Sequence, residues 1–137
     1  MNADAQEMPS QVLIADASRS NRVMLRKRLQ RKGYQCVTAE TGQQVLSVLR
    51  ELPIQIILME IRFPDMDGWQ LIRRIKRHPT GQHLAIIAVT ACAMQGDREQ
   101  LLAGGCDAYI PKPVILSDLL ELLDNLMVNG DQRRLFA

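Results

Sequence analysis

The chain has 137 residues, of which 47% are hydrophobic and 23% are charged, a composition typical of one globular domain. The formal net charge of +2 is too small to indicate nucleic-acid binding by itself, and no hydrophobic run is long enough to span a membrane. Three cysteines without a Cys-x-x-Cys motif argue against a zinc site and predict a reducing compartment. The first ten residues lack the hydrophobic segment of a signal peptide, so we expect a cytoplasmic protein.

Five short hydrophobic runs alternate along the chain with segments of helical spacing. The predicted strands are 11–15, 34–39, 54–59, 84–89 and 107–110. The predicted helices are 21–32, 42–52, 69–78 and 96–103, with a fifth that starts near Ser117 as its capping residue. This alternation predicts a parallel sheet with helices on both faces. We expect residues 1–10 to form a flexible segment, 11–128 the domain and 129–137 a frayed polar tail.

A carboxylate directly follows the third predicted strand. Its residues lack the alternation of a half-buried strand, which predicts a central strand buried on both faces. Glu60 follows this strand directly, and open α/β sheets bind their ligands at the carboxyl ends of central strands. Taken alone, Glu60 could equally be a solvated strand end.

Polar groups of different kinds follow four of the predicted strands: Asp16 the first, Glu60 the third, Thr90 the fourth and Lys112 the fifth. A parallel sheet brings these ends to one edge. Two carboxylates, a hydroxyl and an ammonium group at one edge could bind a divalent cation through oxygens and balance a phosphoryl group with the lysine.

These segments resemble the receiver domain of two-component response regulators over residues 12–127. The matching motifs are VLIAD at 12–16, ILMEI at 57–61, FPDMDG at 63–68, VTA at 89–91, AMQGDR at 93–98 and YIPKP at 109–113. The resemblance implies a flavodoxin-like, CheY-like fold: a doubly wound five-stranded parallel sheet in the order 2-1-3-4-5 with five helices.

The resemblance also implies a role for each site residue. The position of Glu60 is that of an aspartate phosphorylated by a histidine kinase, and Mg²⁺ would be held by Asp16, by Glu60 and by the backbone carbonyl of Arg62. Thr90 and Lys112 would contact the phosphoryl group. The aromatic ring of Tyr109 would move with Thr90, and the bond between Lys112 and Pro113 would be cis.

Two departures from the family pattern fall on the chemistry itself. The phosphoacceptor position holds Glu60, one methylene longer than aspartate, and Ala17 stands where the family has a second acid. Both changes weaken the case for phosphorylation. We therefore expect a pseudo-receiver with no cofactor or weakly bound Mg²⁺, in which Glu60 either imitates the phosphorylated state or is a relic. The alternative is a metal-dependent, phosphorylatable regulator.

The resemblance implies protein partners: a histidine kinase, a phosphotransfer protein or a downstream regulator. The expected partner face lies around Asp97, Arg98, Tyr109 and Leu116. The first helix carries a basic face that includes Arg22, Arg26, Arg28 and Arg31. This face could dock an acidic protein, could be an ordinary solvated surface, or could bind nucleic acid, although no nucleic-acid motif accompanies it. We expect neither catalysis nor membrane association, and the sequence does not indicate an oligomeric state.

Overall fold

The computed structural model describes residues 11–78, 83–91, 99–100 and 102–136, with side chains up to Leu126. Its sheet has five parallel strands in the order β2-β1-β3-β4-β5, which confirms the predicted topology. The strands are β1 Gln11–Ala15, β2 Gln35–Ala39, β3 Ile56–Met59, β4 Ala85–Thr90 and β5 Ala108–Pro111. All four residues of β3 and all six of β4 are buried, as strands covered on both faces should be.

Among the residues that the structure describes, four complete helices cover the two faces of the sheet. They are α1 Arg19–Arg31, α2 Gly42–Glu51, α3 Gly68–Arg77 and the C-terminal helix Leu116–Phe136. Alternate strand residues separate into two cores. Leu13 and Ile57 pack with Ile72 of α3, whereas Leu58 packs with Leu29 of α1. The predicted fourth helix lies largely outside the described residues, although positions 99, 100, 102 and 103 are helical.

Polar side chains set the starts of the first three helices. Ser18 caps α1, Thr41 caps α2 and Asp67 caps α3. In each case the side-chain oxygen accepts a hydrogen bond from the backbone N–H three residues later, which satisfies a donor that the helix leaves unpaired.

The C-terminal helix differs from its prediction at both ends. It begins at Leu116, where the carbonyl of Ile115 accepts the first helical hydrogen bond from Leu119, so Ser117 lies inside the first turn and is not the cap. The preference for serine as a cap is weaker than the packing of Leu119 and Leu123, which are both fully buried. The helix also continues through Gly130 to Phe136, over the positions assigned to a tail. A single glycine costs a helix only about 1 kcal/mol.

The loop between β3 and α3 is fastened at two places. The N–H of Gly68 donates to the carbonyl of Ile61, and a Cβ at Gly68 would lie 2.7 Å from the Ile61 backbone. The two carboxylate oxygens of Asp65 accept hydrogen bonds from the N–H groups of Gly42 and Gln43, both at 2.9 Å. These bonds lower the pKa of Asp65 and tie the loop after Glu60 to the start of α2.

Candidate acid pocket at the carboxyl edge of the sheet

Three of the predicted site residues meet at the carboxyl edge of the sheet. The ammonium nitrogen of Lys112, after β5, lies 2.6 Å from Oε2 of Glu60, after β3, and 3.3 Å from Oδ2 of Asp16, after β1. The side chains of Asp16, Glu60 and Lys112 are 8%, 15% and 26% exposed. One cation therefore bridges two largely buried carboxylates, and we call this group the acid pocket.

Every carboxylate oxygen of the acid pocket already accepts a hydrogen bond from the chain. Oδ1 of Asp16 accepts from the Ser18 N–H at 2.8 Å, and Oδ2 accepts from the Asn21 side chain at 3.3 Å as well as from Lys112. Oε1 of Glu60 accepts from the Ile61 N–H at 3.1 Å, while Oε2 contacts Lys112. The two acids are held in place before any ligand arrives.

The electrostatics of the pocket favour a charged lysine. Burial works to lower the pKa of the Lys112 ammonium group. The hydrogen bond and negative charge of Glu60, together with the charge of Asp16, outweigh it, so the pKa of Lys112 lies above its ordinary value of 10.5. Lys112 is thus a permanent cation at neutral pH.

The remaining residues of the predicted switch lie on β4, on β5 and directly after β5. Thr90 ends β4, is 3% exposed, and its backbone carbonyl accepts a hydrogen bond from the Lys112 N–H at 3.0 Å. Tyr109 is half-buried on β5 and packs against the core on the α3 side. The peptide bond between Lys112 and Pro113 is cis, as the family resemblance implied.

Beyond Asp16 and Glu60, the described residues offer little to a metal ion. Ala17 is exposed and supplies no acid, and Arg62 lies in the loop after β3, where it forms an isolated bridge with Asp67. Within the described ranges, no three His, Cys, Asp or Glu side chains are grouped to hold a metal ion. Magnesium needs near-octahedral oxygen ligands. Two carboxylates that share a lysine and have every oxygen engaged fit that requirement poorly.

Arg22 has a different position from the rest of the predicted basic face. Arg26, Arg28 and Arg31 are exposed, but the Arg22 side chain is only 14% exposed. Its guanidinium group donates to the backbone carbonyls of Asp16 and Ala17 at 2.7 and 3.0 Å, and to Oε2 of Glu40 at 3.3 Å. Arg22 therefore holds the loop between β1 and α1 through its two backbone carbonyls.

The predicted partner face is described only in part. Asp97 and Arg98 lie outside the described residues. Leu116 is half-buried at the start of the C-terminal helix, and its neighbour Ile115 is 59% exposed. Ile115 directly precedes Leu116, and its exposure was not predicted from the sequence alone.

Sequence reasoning also missed three polar contacts that shape the pocket. Asn21 supports Asp16, Arg22 holds the loop carbonyls, and Asp65 fastens the loop after Glu60. The position of Asn21 and Arg22 in the first turn of the helix that follows Asp16 was the available signal, since that turn must pass the strand end. In the described part of the chain, no helix is both long and apolar enough to cross a membrane.

Comparisons with known proteins show the family to which the chain belongs. The family model of the response regulator receiver domain matches residues 12–124. The polar-differentiation response regulator DivK of Brucella anthropi is 32% identical over 120 residues, which cover 88% of this chain and 98% of that protein.

Two solved structures show the same fold at moderate identity. A CheY-like receiver domain protein from Methanospirillum hungatei has 26% identity and a TM-score of 0.84, covering 91% of this chain and 98% of that one. The receiver domain of the sensor histidine kinase PA1611 from Pseudomonas aeruginosa, with a magnesium ion in its active-site cleft, has 30% identity and a TM-score of 0.79, covering 86% and 97%. The chain therefore belongs to the response regulator receiver domain family of two-component signalling.

Proposed function

We propose that this receiver is a binding module that works without phosphorylation, with Glu60 as a built-in substitute for a phosphorylated aspartate. The observation that carries the proposal is the 2.6 Å contact between Oε2 of Glu60 and the ammonium group of Lys112. The lysine that would otherwise balance a phosphoryl group is already paired with a fixed negative charge.

The substitute is only a partial imitation of an acyl phosphate. A carboxylate carries one negative charge and two oxygens, whereas a phosphoryl group carries about two charges and three oxygens. The longer side chain of glutamate compensates in reach, since the additional methylene extends the charge toward Lys112. The proposed result is one constant state of the pocket, set by the residue and not by a kinase.

The same reasoning argues against a tightly bound metal ion. The PA1611 receiver domain holds magnesium in its cleft, but here Ala17 removes one acid and Lys112 bridges the two that remain. When present, Mg²⁺ supplies positive charge for phosphoryl transfer. Lys112 supplies positive charge to Asp16 and Glu60 directly, so we propose that the pocket needs no cofactor.

Function then depends on contacts with other proteins. The proposed partners are a histidine kinase, a phosphotransfer protein or a downstream regulator, which would contact the surface around Tyr109, Ile115 and Leu116. Tyr109 is half-buried, and tyrosines that keep part of the ring accessible are frequent at the centres of interfaces. Ile115 adds an exposed apolar side chain to this surface.

Intact mass after incubation with Mg²⁺ and acetyl phosphate tests the proposal. We expect no phosphoryl adduct on the wild-type chain. The double variant Ala17→Asp, Glu60→Asp restores both family acids and is the matched positive control, in which we expect an adduct. A wild-type adduct that disappears in Glu60→Gln would overturn the proposal and indicate a metal-dependent, phosphorylatable regulator.

A further inference from the structure

A second charged site lies outside the acid pocket, in the groove between α1 and the edge strand β2. The groove contains a cavity of about 210 Å³, lined by Arg19, Arg22, Val23, Arg26 and Thr38. Cavities that bind drug-sized ligands usually measure about 300–1,000 Å³. This one has room only for a small ion or for one end of a larger ligand.

The three arginines reach the groove because of their helical spacing. Positions 19, 22 and 26 follow the i, i+3, i+7 pattern, which places side chains along one side of a helix. No acidic residue occurs anywhere in α1. Among the described ion pairs, one involves these arginines: the contact between Arg22 and Glu40.

The groove has one wall on α1 and a second wall on β2. Burial raises the pKa of the Cys36 thiol on β2 to about 11, and the positive charge of Arg26 acts against that rise. The positive charge of Arg26 therefore lies close enough to β2 to act on a side chain of that strand. Thr38, two residues further along β2, adds a hydroxyl group to the same wall.

Arg22 is the fixed member of the three. Its bonds to two loop carbonyls and to Glu40 hold the guanidinium group in one orientation. A planar guanidinium group presents paired N–H donors that match the oxygens of phosphate. A binding group that is already oriented loses less entropy when the ligand arrives.

We propose that this groove binds a small oxyanion of the phosphate or diphosphate class through Arg19, Arg22 and Arg26, with Thr38 as an additional hydrogen-bond donor. The size of the cavity excludes a whole nucleotide but admits its terminal phosphoryl groups. The site is separate from Glu60, so it does not depend on the proposed function of the acid pocket. Because Arg22 also holds the carbonyls of Asp16 and Ala17, an occupied groove acts on the loop that carries Asp16.

A titration of the ¹⁵N-labelled full chain with sodium diphosphate at constant ionic strength tests the site. We expect saturable chemical-shift changes at the amides of Val23 and Thr38, and further changes at Ala17 through Arg22. Arg19→Ala and Arg26→Ala should each weaken binding about tenfold, the effect of losing one charge-assisted contact. Both residues are exposed, so the spectra of the free variants should show an intact fold.

Arg31→Ala is the matched control. Arg31 is an exposed arginine of the same helix that does not line the cavity, and its loss should change the affinity less than twofold. An equal loss in Arg31→Ala and Arg26→Ala would overturn the proposal, since it would mean diffuse attraction to a basic helix. Shifts that never saturate would also overturn it.

A parallel titration with ADP distinguishes two sources of the same anion. Shift changes confined to the groove and an affinity no higher than that for diphosphate would indicate a free inorganic anion. Additional shifts beyond the groove with tighter binding would indicate the terminal phosphoryl groups of a nucleotide. If an acidic peptide saturates these amides and neither phosphate compound does, the surface recognises protein and the proposal is wrong.

Discussion

At the scale of single residues, Lys112 decides the character of the acid pocket. It is the cation that both Asp16 and Glu60 contact, and removal of its charge would leave two carboxylates facing each other with little solvent around them. Removing one partner of such an ion pair destabilises the protein, because the remaining charge is left partly buried without a counter-charge.

The first prediction is a measurable coupling between Glu60 and Lys112. We expect the variants Glu60→Gln, Lys112→Met and their combination to show a coupling of about 1 kcal/mol in urea unfolding, a modest value because both side chains keep some contact with solvent. Glu60→Gln combined with the remote Arg31→Ala is the control and should be additive within about 0.5 kcal/mol. Additivity of the Glu60 and Lys112 changes would contradict the ion pair.

The second prediction concerns Tyr34, whose hydroxyl group donates to Oδ1 of Asp124 at 2.8 Å. Burial, followed by the hydrogen bond and charge of Asp124, raises the pKa of Tyr34 to about 12. A raised pKa in the folded state means that this contribution to stability is complete below the ordinary tyrosine value of 10.0 and is lost as the pH rises through about 12.

Phenolate absorbance measures this titration directly. We expect one tyrosine of the wild-type chain to titrate near 12 and Asp124→Asn to lower that pKa, whereas Tyr34→Phe removes the step. If Asp124→Asn leaves the titration unchanged, the contact between the turn after α1 and the C-terminal helix does not form in solution.

At the scale of elements, the sequence patterns predicted those parts of the fold that local physics determines. Continuous hydrophobic runs identified β3 and β4, because strands buried on both faces need no polar alternation. Asp16, Glu60 and Lys112 were predicted to converge, since parallel strands end at one edge. These three residues do meet.

Contacts between elements distant in sequence were not predictable in this way. The bond from Asp65 to the start of α2 spans more than twenty residues, and nothing in its local sequence indicates the partner. Arg22 looked like part of a solvated face, but the loop carbonyls beside it turn its guanidinium group inward. Ser117 was assigned as a cap because its residue type suits that position, whereas packing of the helix moved the start to Leu116.

The third prediction compares two glycines at the starts of helices. A Cβ at Gly68 would lie 2.7 Å from the backbone of Ile61, whereas the atoms nearest to a Cβ at Gly42 belong to the flexible side chain of Met66, at 2.6 Å. We expect Gly68→Ala to cost about 2–4 kcal/mol in the free energy of unfolding, because a backbone has little freedom to move.

Gly42→Ala makes the same chemical change and is the comparison. Its cost should stay below about 1 kcal/mol, since methionine adapts its rotamer and alanine favours the helix. Urea unfolding of the two variants measures both values. Equal costs would show that the loop after Glu60 is less closely packed against Ile61 than the structure indicates.

At the scale of the whole molecule, the chain has the receiver fold, and Lys112 contacts Glu60 and Asp16 at the carboxyl edge of its sheet. The sheet, the cis bond before Pro113 and the lysine are retained, while Glu60 and Ala17 replace two acids of the family pattern. We propose that the receiver fold is combined here with a pocket whose charge is permanent. We propose that the signal depends on the amount of the protein and on the ligands that bind it, and not on its phosphorylation.

The measurement that tests this central claim most directly is a comparison of ¹H-¹⁵N spectra. We predict that Mg²⁺ with acetyl phosphate leaves the wild-type amides of Thr90, Tyr109 and Lys112 unchanged. Glu60→Gln should shift these three amides, because it removes the nearer of the two negative charges that contact Lys112. Glu60→Asp, which keeps the charge but shortens its reach, should shift the same amides less. The opposite pattern would contradict the account: wild-type amides of Thr90, Tyr109 and Lys112 that respond to the phosphodonor, together with the same amides unshifted in Glu60→Gln.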